Sequence, residues 1–369
     1  MFHREAGVFK TTYASDMALY PLPIAKWTMV GLAVLFAIVL PMTLEEYYLS
    51  ILNLIFIAVV GALGLNILVG YTGQISLGHG AFMSVGAYTA ANLAVRLGLP
   101  LWLTLPAGGL MAAFIGALVG IPSLRIKGLY LAIATLAGQL IIEWTINHVP
   151  AISGGAQASI QVPRPDLFGF VLNTQGRLYY FLLFFAALAI VATLNLMRSR
   201  VGRAFIAVRD GEIAAQSLGI GVVRYKALAF AISGFYAGAA GALYAPLLGY
   251  VAPESFDLFQ MIVQKSMIVV GGMGSIVGSV IGATVMVAVI ELLREFKSTQ
   301  EIVFGGILIA FVVFRPRGIV TLFRRIPGWD EPLSAFDRTR FPVPSAPSAP
   351  SAAPAAQPVA AGLVGEERQ

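Results

Sequence analysis

The chain has 369 residues, of which 58% are hydrophobic and 11% charged, with a net charge of +6 and no cysteine. A soluble domain carries about 25% charged residues because its surface must be solvated, so this composition excludes a string of soluble domains and indicates one large domain in lipid. Disulfides, thiolate metal sites and iron–sulfur clusters are excluded, three histidines are too few for a histidine-built metal centre, and the basic excess flanks apolar segments instead of forming a nucleic-acid surface.

A spanning helix needs about 20 mainly apolar residues. Ten segments approach this: Trp27–Leu44, Tyr47–Gly70, Gly80–Leu97, Leu101–Ile121, Gly128–Asn147, Leu178–Met197, Ala227–Tyr250, Phe259–Ser275, Ile276–Leu293 and Ile302–Phe314, the eighth and tenth being short. The expected fold class is all-α, a polytopic membrane protein of about ten transmembrane helices filling a permease domain over 27–318. Residues 1–26 read as a cytoplasmic N-terminal segment and the first span as a start-transfer anchor, since its apolar run ends at Glu45 and Glu46 without a cleavage site. The stretch 334–369, with its repeated Ser-Ala-Pro units, cannot build a packed core and is expected to be a disordered cytoplasmic tail.

Lys and Arg accumulate in cytoplasmic loops. The loop 198–226 holds Arg198, Arg200, Arg203, Arg209, Arg224 and Lys226 and is assigned to the cytoplasm; alternation then places Arg125 and Lys127 inside, Glu45 and Glu46 outside, and both termini inside. Ten helices divide into five plus five, and an odd half re-enters the membrane inverted, which puts a transport path at the repeat interface with broken helices near the midplane. A sequence echo supports the division: Gly61-Ala62-Leu63, Gly70-Tyr71 and Ser76 are answered by Gly241-Ala242-Leu243, Gly249-Tyr250 and Ser255.

The stretch Gly70–Gly80 mixes four glycines with Tyr71, Thr72, Gln74, Ser76 and His79 between two apolar runs. Non-helical backbone at membrane depth survives only where it is buried in protein or lines a cavity, so Tyr71, Thr72, Gly73, Gln74, Ser76, Gly78 and His79 are candidate pathway residues. A short turn and, for His79, a packing role are the plainer readings. Ionisable residues inside apolar helices are costly and face a cavity or partner. Glu143, close to Gln139, and Lys265, after Gln264, join the pathway candidates, and a Glu143–Lys265 pair is one arrangement. The spacings Gly116/Gly120, Gly234/Gly238 and Gly274/Gly278/Gly282 suit close helix contacts. No phosphate-binding Gly-x-x-x-x-Gly-Lys-[Ser/Thr] occurs.

In the 198–226 loop, Asp210 is placed to cap a short helix beginning near Glu212, with Ala214, Ala215 and Leu218 on one side and Gly219 at its end. An apolar helix between basic residues needs a partner protein or the lipid surface.

That segment resembles the Glu-Ala-Ala loop of ABC importer permeases, with Ile213 following the Glu. With Gly70–Phe82, Gly128–Ala137, Arg224–Phe230 and Phe314-Arg315-Pro316-Arg317-Gly318, the chain is similar over Tyr47–Gly318 to the branched-chain amino acid ABC permease family, most of all to its M-type subunit. The resemblance implies a bacterial inner-membrane protein that pairs with a second related permease, two ATP-binding cassette ATPases using ATP and Mg, and a periplasmic substrate-binding protein. It implies no cofactor on this chain and no enzymatic activity of its own. The docking role falls on Arg209, Asp210, Glu212, Ala214, Ala215 and Gly219. Leucine, isoleucine and valine are the usual substrates of the family, and relatives carry amides, urea-like compounds and small aromatic acids. The stretches Gln139–Trp144 and Ser153–Ile160 depart from the common family form. The competing reading is a standalone secondary transporter that uses an intramembrane carboxylate such as Glu143.

Overall fold

The computed structural model describes Phe36 and residues 39–123, 128–153, 159–163, 166–167, 170–171, 174–296, 300–314 and 318–320. The 1–26 segment, most of the first expected span, Arg125, Lys127, Arg315, Arg317 and the 334–369 tail lie outside these residues. So does the whole of the second contact unit, Asp330–Gln369.

From the second expected segment onward, each one is a helix. We label these α1 (Glu46–Leu65, continued as a π-helical turn over Asn66–Tyr71), α2 (His79–Leu97), α3 (Leu101–Ser123), α4 (Leu129–His148), α5 (Gln175–Arg198), α6 (Arg200–Asp210), α7 (Glu212–Ser217), α8 (Val222–Leu248), α9 (Leu258–Gly271), α10 (Ile276–Leu292) and α11 (Gln300–Phe314). Among the described residues, five helices are long and apolar enough to cross a membrane: Glu46–Tyr71, α3 within Leu101–Ile121, α4, α5 and α8. Together with the shorter apolar helices α10 and α11 they make a polytopic all-α membrane protein.

A helix that is apolar all round belongs in the middle of a bundle. That is the case for α1, in which every residue from Ile55 to Leu65 is buried, and for α8, in which Ala237 to Leu243 are all buried. The outer helices instead leave apolar side chains uncovered at turn spacing. Leu110, Phe114 and Leu118 do so on α3, Ile133, Leu140 and Trp144 on α4, and Phe184, Leu188 and Val191 on α5. Those stripes are the lipid-facing sides.

The tightest contacts join α8 to α3 and α2, with α1 packed on α5, α8 and α10, and α9 on α10. The glycine spacings explain the approach. A Cβ on Gly116 would lie 2.8 Å from the Phe230 carbonyl, and one on Gly234 would lie 2.6 Å from that of Ala112. Gly116, Gly234 and Gly238 therefore serve helix packing, as their spacing predicted. Two short antiparallel pairs accompany the bundle: β1 (Ile160–Gln161) on β4 (Tyr250–Val251), with Ile160 opposite Val251, and β2 (Asp166–Leu167) on β3 (Phe170–Val171).

Candidate functional site

The chain leaves α1 through a π-helical turn and then doubles back along the helix it has just left. Thr72 N donates to Ile67 O (3.2 Å), Gln74 N to Leu68 O (3.1 Å), and His79 Nε2 lies 3.0 Å from Gly61 O, more than two turns back. Gly73 makes the reversal at φ +72°, a region that an L side chain occupies only with strain. α2 thus begins beside the interior of α1. A π turn relaxes the hydrogen-bond ladder and frequently marks a functional position.

This re-entrant stretch is held by side chains. Thr72 Oγ1 donates to Ile67 O (2.9 Å), Leu77 N donates to Thr135 Oγ1 (2.9 Å), and Gly78 N reaches Ser76 Oγ (3.4 Å). Tyr71, Thr72, Gln74, Ser76, Gly78 and His79 are buried, and only Gly73 and Ile75 face outward. With Nε2 against a carbonyl, His79 donates from that nitrogen, and its buried Nδ1 has no partner. His79 is thus a helix-anchoring residue with one lone pair left unused.

Gln139 of α4 was quoted from the sequence only as a neighbour of Glu143, yet it ties two helix starts together. Its Oε1 accepts from Ala81 N (2.5 Å), in the first turn of α2. Its Nε2 donates to Phe256 O (3.1 Å), at the end of the 3-10 turn Pro253–Phe256 that precedes α9. Asp257 Oδ1 then caps α9 by accepting from Gln260 N (2.9 Å). Glu143 stands one turn further along α4. No ion pair joins it to Lys265, so the pairing open at the sequence level is not formed: Glu143 instead lies within electrostatic reach of Asp257. The turn at 253–257, invisible to an apolar-run count, leaves Asp257 exposed at the start of α9.

A second break, Gly272–Ser275 between α9 and α10, meets the first. Asn66, inside the π turn, donates from Nδ2 to Ser275 O (2.9 Å) and accepts at Oδ1 from Gly274 N (2.8 Å). Gly70 is so close that a Cβ there would sit 2.5 Å from Gly274 N. Arg209 lies over both breaks: its Cγ is 3.2 Å from where a Gly73 Cβ would be, and its Nη1 is 2.8 Å from the corresponding point on Gly274. The loop between α5 and α8 therefore touches both halves of the chain through one side chain.

That loop is built more firmly than its sequence suggested. Ser199 caps α6 by accepting from Val201 N (3.1 Å) and Gly202 N (3.4 Å). Asp210 does not cap the next helix. It is the last residue of α6, and Gly211 precedes α7 without any side-chain cap. Ala214, Ala215 and Leu218 do not share a face: Ala215 is buried, whereas Ala214 and Leu218 point outward with Ile213. Gly219 ends the helix at φ +81°, as expected. Glu212 pairs with Lys226 at 2.5 Å, and Lys226 is only 1% exposed, so the carboxylate neutralises a cation that would otherwise be stranded. An α7-to-α8 pair fourteen positions apart carries no periodic signal in sequence.

Comparison with known proteins agrees with this architecture. The profile of the family described as "Branched-chain amino acid transport system / permease component" matches residues 47–312. The chain is 35% identical to the high-affinity branched-chain amino acid transport system permease protein LivM of Escherichia coli, over 81% of this chain and 76% of that one. It is 30% identical to a probable branched-chain amino acid transport permease protein LivH of Methanocaldococcus jannaschii, over 70% of this chain and 86% of that one. It is also 28% identical to the autoinducer 2 import system permease protein LsrC of Escherichia coli, over 78% of this chain and 85% of that one. No solved structure matches it. The chain belongs to the family of permease components of branched-chain amino acid transport systems.

Proposed function

We propose that this chain is one of two related permease subunits of an inner-membrane ATP-driven importer. It translocates branched-chain amino acids or related small solutes handed over by a periplasmic binding protein, while two partner ATPases hydrolyse ATP with Mg. The observation that carries this reading is the α6–α7 loop. It is fastened to α8 through Glu212 and Lys226, it leaves Ile213 and Leu218 about four-fifths exposed, and it rests through Arg209 on both helix breaks. An exposed apolar pair on a rigid cytoplasmic element is a surface for a protein partner, and Arg209 gives that partner a lever on the membrane helices. A self-sufficient proton-coupled carrier has no need of such an element, and the relatives are importer subunits.

In this reading Arg209, Asp210, Glu212, Ala214, Ala215 and Gly219 build the docking segment, and Ile213, Ala214 and Leu218 make the contact. Tyr71, Thr72, Gly73, Gln74, Ser76, Gly78 and His79 form the moving wall of the pathway, and Glu143 and Lys265 are its ionisable residues. The two halves are inverted repeats, supported by equivalent contacts: Gly61 of α1 abuts Gln264 of α9, and Gly241 of α8 abuts Met83 of α2. The separation from Gly61 to Gly241 equals that from Met83 to Gln264 to within one residue.

Reconstitution in proteoliposomes with both permeases, both ATPases and the binding protein tests the proposal. Leu218→Asp is expected to abolish leucine-stimulated ATP hydrolysis and ATPase co-purification while the permease pair still assembles. Unchanged hydrolysis with Leu218→Asp would refute docking through this loop.

A further inference from the structure

Glu143 is the one acidic residue of α4, and the packing of the bundle does not account for it. It lines a small cavity with Ser84 and Tyr88 of α2, Ile146 of α4, and Pro253 and Phe256 of the 3-10 turn. The cavity volume is about 10 Å³, room for one water-sized group. The Tyr88 hydroxyl, on a residue 1% exposed, has no hydrogen-bond partner. A buried hydroxyl left unpaired costs roughly 1–3 kcal/mol, and so marks a place where a ligand group restores the bond. Among the described residues no Lys or Arg neutralises Glu143.

We propose that Glu143, with the Tyr88 and Ser84 hydroxyls, forms the position at which the ammonium group of a transported solute docks. This rests on the importer reading and adds a recognition site to it. An ammonium group is the size of a water molecule and carries three N–H donors and no acceptor. The cavity offers a matching set of acceptors: the Glu143 carboxylate, the Tyr88 oxygen and the lone pairs of Ser84 Oγ, whose own proton is spent on Ala81 O at 2.8 Å. A carboxylate at membrane depth is costly to hold charged, and a cation against it relieves that cost. An anionic head group would meet the Glu143 carboxylate unfavourably. Ile146 and Phe256 give the adjoining wall an apolar character suited to an aliphatic side chain. The Gln139 bridge sets the distance between α2 and the 3-10 turn, so the cavity is shaped by the same contact that joins the two helix starts.

The test labels Glu143 in the assembled permease–ATPase complex in nanodiscs with dicyclohexylcarbodiimide and reads the adduct on its peptide by mass spectrometry. Leucinamide, which has the ammonium but no carboxylate, is expected to slow labelling at least fivefold. 4-Methylpentanoate, which has the carboxylate but no ammonium, is expected to leave it unchanged. Tyr88→Phe is expected to weaken the protection by leucinamide several-fold while Glu143 remains labelled. Equal protection by both compounds, or by neither, overturns the proposal. ATP-dependent leucine uptake by the wild-type complex is read separately. Uptake without protection removes the ammonium site and leaves the importer reading standing; protection without uptake does the reverse.

Discussion

The two helix breaks that meet under Arg209 are built by opposite means. The first, Thr72–Gly78, is long and furnished with polar side chains, and Thr72, Thr135 and Ser76 satisfy its backbone. The second, Gly272–Ser275, is four residues of nearly bare backbone, with positive φ at Gly272 and Gly274 and with Asn66 from the other half as its side-chain partner across the junction. The first break draws mainly on its own side chains and adds Thr135 of α4, whereas the second borrows Asn66 across the junction. A junction in lipid must satisfy every peptide group, and Asn66 does so for both strands of this one because its amide offers a donor and an acceptor at once.

That asymmetry can be broken at graded cost. Gly70→Val should have the largest effect, because the new side chain would meet backbone at Gly274 that cannot move aside. A loss of about 3 kcal/mol or more is expected, read as loss of monodisperse permease on size exclusion. Glu212→Gln should come next. It strands the buried Lys226 at a cost of about 3 kcal/mol, and the double change Glu212→Gln with Lys226→Met should recover most of the loss in a thermal unfolding assay. If the double variant proved no better than the single one, the pair would not be what fastens α7 to α8. Asn66→Leu should cost about 2 kcal/mol by leaving Gly274 N unsatisfied and removing one of the donors to Ser275 O, and leucine uptake should fall while ATPase binding persists. The smallest effects should follow alanine at Gly73 and at Gly274, both at positive φ, about 1–2 kcal/mol each from the backbone alone. Here the comparison sharpens. Gly73→Ala presses on the stem of Arg209, whereas Gly274→Ala meets the end of its guanidinium and the Gly70 carbonyl. Gly73→Ala should therefore lower stimulated ATP hydrolysis more than Gly274→Ala, and equal effects would show that Arg209 does not distinguish the two breaks.

The apolar runs located α1, α3, α4, α5 and α8 because a spanning helix is announced by its own residues, whatever surrounds it. They located the glycine packing faces for the same reason: small residues four apart stay on one side of a helix wherever it goes. The Gly70–Gly80 segment was conspicuous because uncharged polar residues between two spans are improbable for a simple turn. The short helix begins at Glu212 and its chain reversal falls at Gly219, as the sequence predicts. Its cap and its buried face were misassigned, since Asp210 was consumed by α6 and only packing against α8 decides which alanine turns inward.

What the sequence determined by itself is therefore local: lipid as the solvent, the helices long enough to cross it, the glycines that let them approach, and the motifs that place the chain in its permease family. Tertiary structure alone decided the rest. Asn66 bridges to a loop more than two hundred residues away, Gln139 joins two helix starts from different halves, Lys226 finds Glu212, and Glu143 shares a cavity with Tyr88 and makes no ion pair with Lys265. In lipid the gain from burying apolar surface is nearly the same for any helix face, so polar side chains that must find partners set which helices meet. Those partners are chosen by three-dimensional proximity, which no periodicity along the chain encodes.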